Sequence, residues 1–195
     1  MKFSLKRVLL LFTIWLLSNQ FSFAQGRYNG YVISNTNDTI KGIIEIGSDA
    51  MRTVRVTFTD YEIRTPEVLE PFQIKGYYAN GTHYESKIYD IDEGLDYGYA
   101  VFMERLEDGY LNLYKYWNNR KKRSEMIVEG YDRKMILVSR SSFQKQTIKF
   151  FKGYPALSAK IARNVYTFND LQRVVVDYND WKRKNILYQE LTKEN

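Results

Sequence analysis

The sequence predicts an α+β fold: a mostly antiparallel β-sheet or partly open barrel built from hairpins, followed by two or three C-terminal helices. Three observations predict it. Between residues 28 and 139, β-branched and aromatic residues come in short runs separated by turn residues about every ten positions. Tyrosine, with 17 copies in the chain, suits a half-buried pleated surface with its hydroxyl reaching water. From residue 141 onward the apolar spacing changes from two to the three and four of a helix.

The elements follow in order. Tyr31-Val32-Ile33 and Thr39 to Ile46 form a hairpin through a polar turn at Asn35 and Asp38. Val54, Val56 and Phe58 alternate with Arg55, Thr57 and Thr59, the pattern of a strand with one buried face. Pro66 and Pro71 bracket what reads as an irregular link. Ile74 to Ala79 and Thr82 to Ile88 flank Asn80-Gly81, a two-residue turn whose positions both need positive φ; Asp108-Gly109 is expected to do the same between Val101 to Leu106 and Leu111 to Trp117. That second pair is apolar on both faces, as expected of central strands covered on both sides. Glu125 to Val128 and Met135 to Val138 turn through Gly130 to Arg133.

Helices are expected over about 141–184. Ser141 and Gln144 match a capping box ahead of Phe143, Thr147, Ile148 and Phe151. Pro155 opens a short helix through Ile161. Thr167 and Asn169 offer caps for a last helix with the stripe Leu171, Val174, Val175, Tyr178 and Trp181. Lys182, Arg183 and Lys184 then fall near its expected negative end.

Ahead of these elements, residues 1–24 read as a signal peptide. Lys2, Lys6 and Arg7 form a basic start, Val8 to Leu17 an apolar run too short to span a bilayer, and Ser22-Phe23-Ala24 a small-x-small cleavage pattern. Cleavage leaves residues 25–195 as one β-rich domain with a helical tail and no transmembrane span. With no cysteine in the chain, there is no disulfide, thiol nucleophile or lipid-attachment site. Three of the 29 basic residues lie in the leader, so 26 bases face 23 acids in the remainder. That excess is too mild for nucleic-acid binding.

Gly30-Tyr31-Val32, Asp38-Thr39-Ile40 with Gly42 and Ile44, Ile74-Lys75-Gly76, and Val101-Phe102-Met103-Glu104 with Gly109 and Leu113-Tyr114 form a loose set of turn glycines and strand apolars. With Pro155, Leu157, Ile161 and Tyr178-Asn179 in the tail, the chain resembles a group of uncharacterised exported proteins from Bacteroidota. The resemblance implies a secreted bacterial domain in the periplasm, the outer-membrane periphery or the medium. It implies no catalytic residue.

The candidate chemistry is sparse. His83 is the lone histidine; by the hairpin register it shares a polar, wet face with Glu85 and Lys87, opposite Tyr84 and Ile88, with no partners for a triad or zinc site. Asp90, Asp92 and Asp96 are the best metal candidates, since hard cations want clustered carboxylates, but Gly94, Leu95 and Val101 break the calcium-loop pattern and favour a solvated loop. Arg120-Lys121-Lys122-Arg123 is the sharpest charge run: either a solvated hairpin tip or a contact for an anionic envelope polymer or lipid headgroups. Trp117, beside Asn118 and Asn119, is a candidate for stacking on sugars, against packing in the core. The expectation is a non-catalytic binding or interaction domain of the bacterial cell envelope, with an envelope protein or anionic polymer as partner and no cofactor. The alternatives are a carbohydrate-active or calcium-dependent hydrolase, a glycan-binding module, or a structural module of the cell surface.

Overall fold

Turn chemistry and alternation act where they are strongest. Asn80 and Gly81 take φ values of 51° and 77° and close a hairpin that pairs Tyr78 with His83 and Tyr77 with Tyr84. A computed structural model describes residues 26–90, 98–151 and 153–193. It shows ten antiparallel strands in one open sheet, then three α-helices with a one-turn 3₁₀ helix before the last, an α+β fold. The strands are β1 (Gly26–Ser34), β2 (Thr39–Ile46), β3 (Val56–Asp60), β4 (Pro66–Leu69), β5 (Ile74–Ala79), β6 (Thr82–Tyr89), β7 (Tyr99–Glu107), β8 (Asn112–Asn118), β9 (Arg123–Glu129) and β10 (Met135–Val138). Their order is β10-β9-β8-β7-β6-β5-β1-β2-β3-β4. A one-turn helix, α1 (Asp49–Arg52), follows β2, and α2 (Phe143–Phe150), α3 (Pro155–Ala162) and α4 (Leu171–Lys193) close the chain.

Residues paired across antiparallel strands share a face, so the register assigns the core. On one face, Val32, Ile44, Val56, Phe58, Tyr77 and Tyr84 pack with Phe102. The same face of β8 to β10 presents Leu113, Val128 and Val138 to the helices, where Leu157, Ile161, Leu171, Val174 and Val175 cover them. The opposite face buries Val101, Met103, Tyr114, Tyr116 and Ile127. Helix α1 bridges distant strands: the Phe102 amide donates to Thr53 O (2.8 Å), and Asn119 Nδ2 donates to Ala50 O (3.2 Å).

Several expectations need correction. Val54 is exposed and precedes β3. Pro66–Leu69 is the edge strand β4, paired with β3, because a proline at the first position of an edge needs no ladder donor. Asp108-Gly109 does not form a positive-φ turn: Gly81 is the one glycine with positive φ among the described residues. The β7–β8 connection instead spans residues 108–111 after a bulge between Arg105 and Glu107. Ser141 and Gln144 form no capping box; Gln144 Nε2 donates to Ile161 O and Ala162 O at the end of α3. Thr167 caps the 3₁₀ turn Phe168–Asp170 ahead of the last helix rather than that helix itself, its amide and hydroxyl donating to Asp170 at 2.9 and 2.8 Å, while Asn169 accepts from Arg140. Lys182 to Lys184 lie within α4, which runs on to Lys193. No described helix is long and apolar enough to cross a membrane.

Asn179 fixes α4 to the sheet. Its Oδ1 accepts from Leu111 N and its Nδ2 donates to Leu111 O, both at 2.9 Å and both buried, so one side chain replaces a missing ladder partner. A methyl on Gly109 would strike that amide, which explains glycine there. Asn179→Ala strands a buried N–H and a buried C=O, and we expect a loss of about 2–3 kcal/mol in urea unfolding. A loss below about 0.5 kcal/mol would show that water takes over both bonds.

Candidate functional site

The richest polar chemistry lies where the sequence reading expects a wet face. His83, Glu85 and Lys87 do share a face of β6, but Lys87 is 12% exposed and sits in an ionic network. Lys87 Nζ lies 3.1 Å from Glu85 Oε2 and 3.0 Å from Glu129 Oε2, which joins β6 to β9 across two intervening strands. Between them the Tyr114 hydroxyl stands 2.8 Å from Glu85 Oε2 and 3.1 Å from Glu129 Oε2, with Lys87 over its ring. Asn112 Nδ2 donates to Glu129 (2.9 Å), Arg105 Nη1 donates to Glu85 (2.6 Å), and Arg133 stands 3.8 Å from Glu129.

Burial alone would push both carboxyls up. The Tyr114 hydroxyl, Lys87 and Arg105 hold Glu85 below the usual glutamate range, and Asn112, Lys87 and Tyr114 do so for Glu129. Tyr114 is pushed up by burial and by both carboxylates. His83 is pushed down by burial and then by Arg105, so its imidazole favours the neutral form.

Above this network is a groove of about 460 Å³. Lys75 of β5, His83 and Glu85 of β6, Arg105 of β7 and Arg133 of the β9–β10 turn line it. Lys75 on β5 and Arg133 in the β9–β10 turn thus reach one cavity from strands that lie four spacings apart, about 19 Å on a flat sheet. Beside the groove, Tyr31 and Tyr78 stack at 5.2 Å with planes 15° apart, and the Tyr31 hydroxyl lies 3.4 Å from His83 Nδ1. Arg105 is held by Glu85 and by Asp108 at 3.5 Å. Lys75 Nζ donates to Asn37 Oδ1 at 2.5 Å, and no carboxylate among the described residues pairs with it. The groove therefore offers oriented cations, a carboxylate acceptor and an aromatic flank, the equipment for holding an anion that also presents hydroxyl groups.

The residues singled out from the sequence lie elsewhere. Arg120 to Lys122 form the β8–β9 turn, in which Asn118 Oδ1 accepts from the amides of Arg120 and Lys121, and Arg123 starts β9. Buried Glu125 stands 3.1 Å from Lys121 and 3.6 Å from Arg123, so it answers both of these charges. Trp117 is half-buried and, with Arg52, Thr53 and Lys115, walls a space of only about 10 Å³, which does not admit a sugar ring. Asp92 and Asp96 lie outside the described residues, and no cluster of three metal-ligating side chains occurs among the described ones, Asp90 included. Lys75, Arg105 and Arg133 have no local signature. What the sequence does carry is the hairpin register that sets His83 beside Tyr78. Comparison with known proteins finds no matching family model, no matching curated protein and no matching solved structure.

Proposed function

We propose that this chain is a non-catalytic binding domain, exported to the bacterial cell envelope, whose grooved face holds an anionic envelope polymer. The observation that carries this reading is the ring of Lys75, Arg105 and Arg133 around one groove, with the stacked Tyr31–Tyr78 pair at its side. Arg105 is pre-oriented by Glu85 and Asp108, so little side-chain entropy is lost when it meets an anion. Lys75 is oriented by an amide rather than a carboxylate, which leaves its charge for the ligand. The Arg120 to Arg123 turn is a weaker contact surface, since none of its four basic residues lines the groove.

The test is affinity for acidic polysaccharide purified from envelopes, with neutral dextran as the control, over a range of salt. Wild type should bind the acidic polymer and release it as ionic strength rises. Lys75→Glu should weaken binding about thirtyfold, at about 1 kcal/mol for each of the two units of charge changed, with an unaltered melting temperature. Neutralising Arg120 and Lys122 together should cost less than that. Salt-insensitive binding, or full affinity in Lys75→Glu, would refute the reading; crosslinking to one dominant envelope protein instead would make the chain an assembly module.

A further inference from the structure

A second cavity of about 390 Å³ adjoins the groove, and Arg133 lines both. The join is reinforced beneath: Arg105 lines the groove, Asp108 lines the second cavity, and the two form an ion pair. Asn112, on the wall of the second cavity, donates to Glu129 in the buried network. One framework thus fixes the polar lining of both spaces. Around the second cavity stand Tyr110, Tyr131 and Arg183. Tyr131 is 88% exposed, a large ring presented to solvent at the rim.

From this continuity we infer that the two cavities are successive subsites for a linear uronate-type polysaccharide, a chain of sugar rings bearing carboxylates, with Arg133 at the junction. The inference rests on the anionic-polymer reading and narrows it to a chemical class. The lining decides the class. Lys75, Arg105, Arg133 and Arg183 supply donors for carboxylates. Glu85 and Asp108 are acceptor-only, and the lone pairs that Tyr114, Lys87 and Arg105 leave open suit a ligand with hydroxyl donors of its own. A polyphosphate has charge and acceptors but no donors, so it leaves the outward lone pairs of Asp108 unmet; a uronate has both charge and donors. Tyr131 offers the C–H face of a pyranose an apolar surface, and a neutral hexose leaves the arginines without an anion. Two subsites on one chain act through effective concentration, so affinity grows with length until both are filled.

The experiment is calorimetric titration of the purified protein with oligogalacturonates from dimer to octamer, beside inorganic polyphosphate and a single-stranded oligoadenylate of matched charge. Affinity is expected to rise at least tenfold from dimer to plateau. Tyr131→Ala, at a position too exposed to affect folding, should lose about tenfold on long oligomers and nothing on dimers. Arg183→Gln should behave alike, whereas Lys75→Glu should weaken every length. Uronates bound with no length dependence, or long oligomers indifferent to Tyr131→Ala, would overturn the two-subsite inference and leave the groove reading intact. Polyphosphate or oligoadenylate bound as tightly as uronate would overturn the choice of class in the same way. No binding of any polyanion would overturn both.

Discussion

Glu129→Ala is expected to destabilise the protein by about 3–5 kcal/mol, the largest effect of any single change in the ionic network. Glu129 is 3% exposed and accepts from Lys87, Asn112 and Tyr114. Truncation leaves Lys87 with Glu85 alone, strands the Asn112 amide, and opens a void where the carboxylate stood. Urea unfolding by circular dichroism measures the loss, and a change under about 1 kcal/mol would mean that water reaches this cluster freely. Replacing both charges, Lys87→Met with Glu129→Leu, should recover a good part of it, because two apolar groups of similar volume avoid the desolvation cost that the ion pair carries. The same pair predicts acid behaviour. Both glutamates sit below their usual range, so their contribution is complete above the unfolded value of 4.5 and is lost as pH falls through the folded values.

At the other end of the scale, the protein should lose stability steeply above pH 10 and unfold cooperatively at a pH above 11. Tyr77, Tyr114 and Tyr116 are buried and all are raised above 10.0, Tyr116 to about 12, chiefly by burial, with Tyr84 adding to it at Tyr77, Glu85 and Glu129 at Tyr114, and Glu125 at Tyr116. The folded state keeps the phenols neutral while the unfolded chain ionises at 10.0, so their stabilisation is intact below pH 10 and falls as pH rises beyond it. At pH 11 each costs about 1.4 kcal/mol, and the three together about 4 kcal/mol, a large share of the 5–15 kcal/mol typical of a domain. Tyr84 and Tyr178, also raised by burial, add to this. Tyrosinate absorbance and far-ultraviolet circular dichroism, followed together against pH, should step at the same point. Gradual ionisation from pH 10 with unchanged secondary structure would refute the expectation.

What the sequence shows of the fold is what short-range chemistry controls. Asn80-Gly81 fixes a register, Val56 and Phe58 mark a buried face, and the Leu171 to Trp181 stripe marks the helix that covers the sheet. Two of the failures share one cause, partners far away in sequence, while the third has its partner strand close by. Gln144 leaves its own helix start for the end of α3, and Gly109 answers to Asn179 rather than to a turn type. Pro66 joins an edge because β3 is there to receive it. The site follows the same division. The facing of His83, Glu85 and Lys87 can be read from one hairpin, but its burial depends on Glu129, 42 residues from Lys87. The basic run stands out in the sequence because its charges are adjacent, whereas Lys75, Arg105 and Arg133 meet only in the assembled sheet.

The strand order also divides the way in which the chain can reach its folded state. Every pairing but one joins neighbours in sequence, within a run from β1 to β4 and another from β5 to β10. Those ladders close short loops at low entropic cost. The exception is β1 against β5, where Gly30 meets Ala79 and Tyr31 meets Tyr78. This seam alone closes a long loop between strands, and a methyl on Gly30 would strike the Tyr78 carbonyl oxygen across it. Ten strands thus form two local meanders that the sheet joins at one tightly fitted seam, with α1 adding the Thr53–Phe102 and Ala50–Asn119 bonds across it.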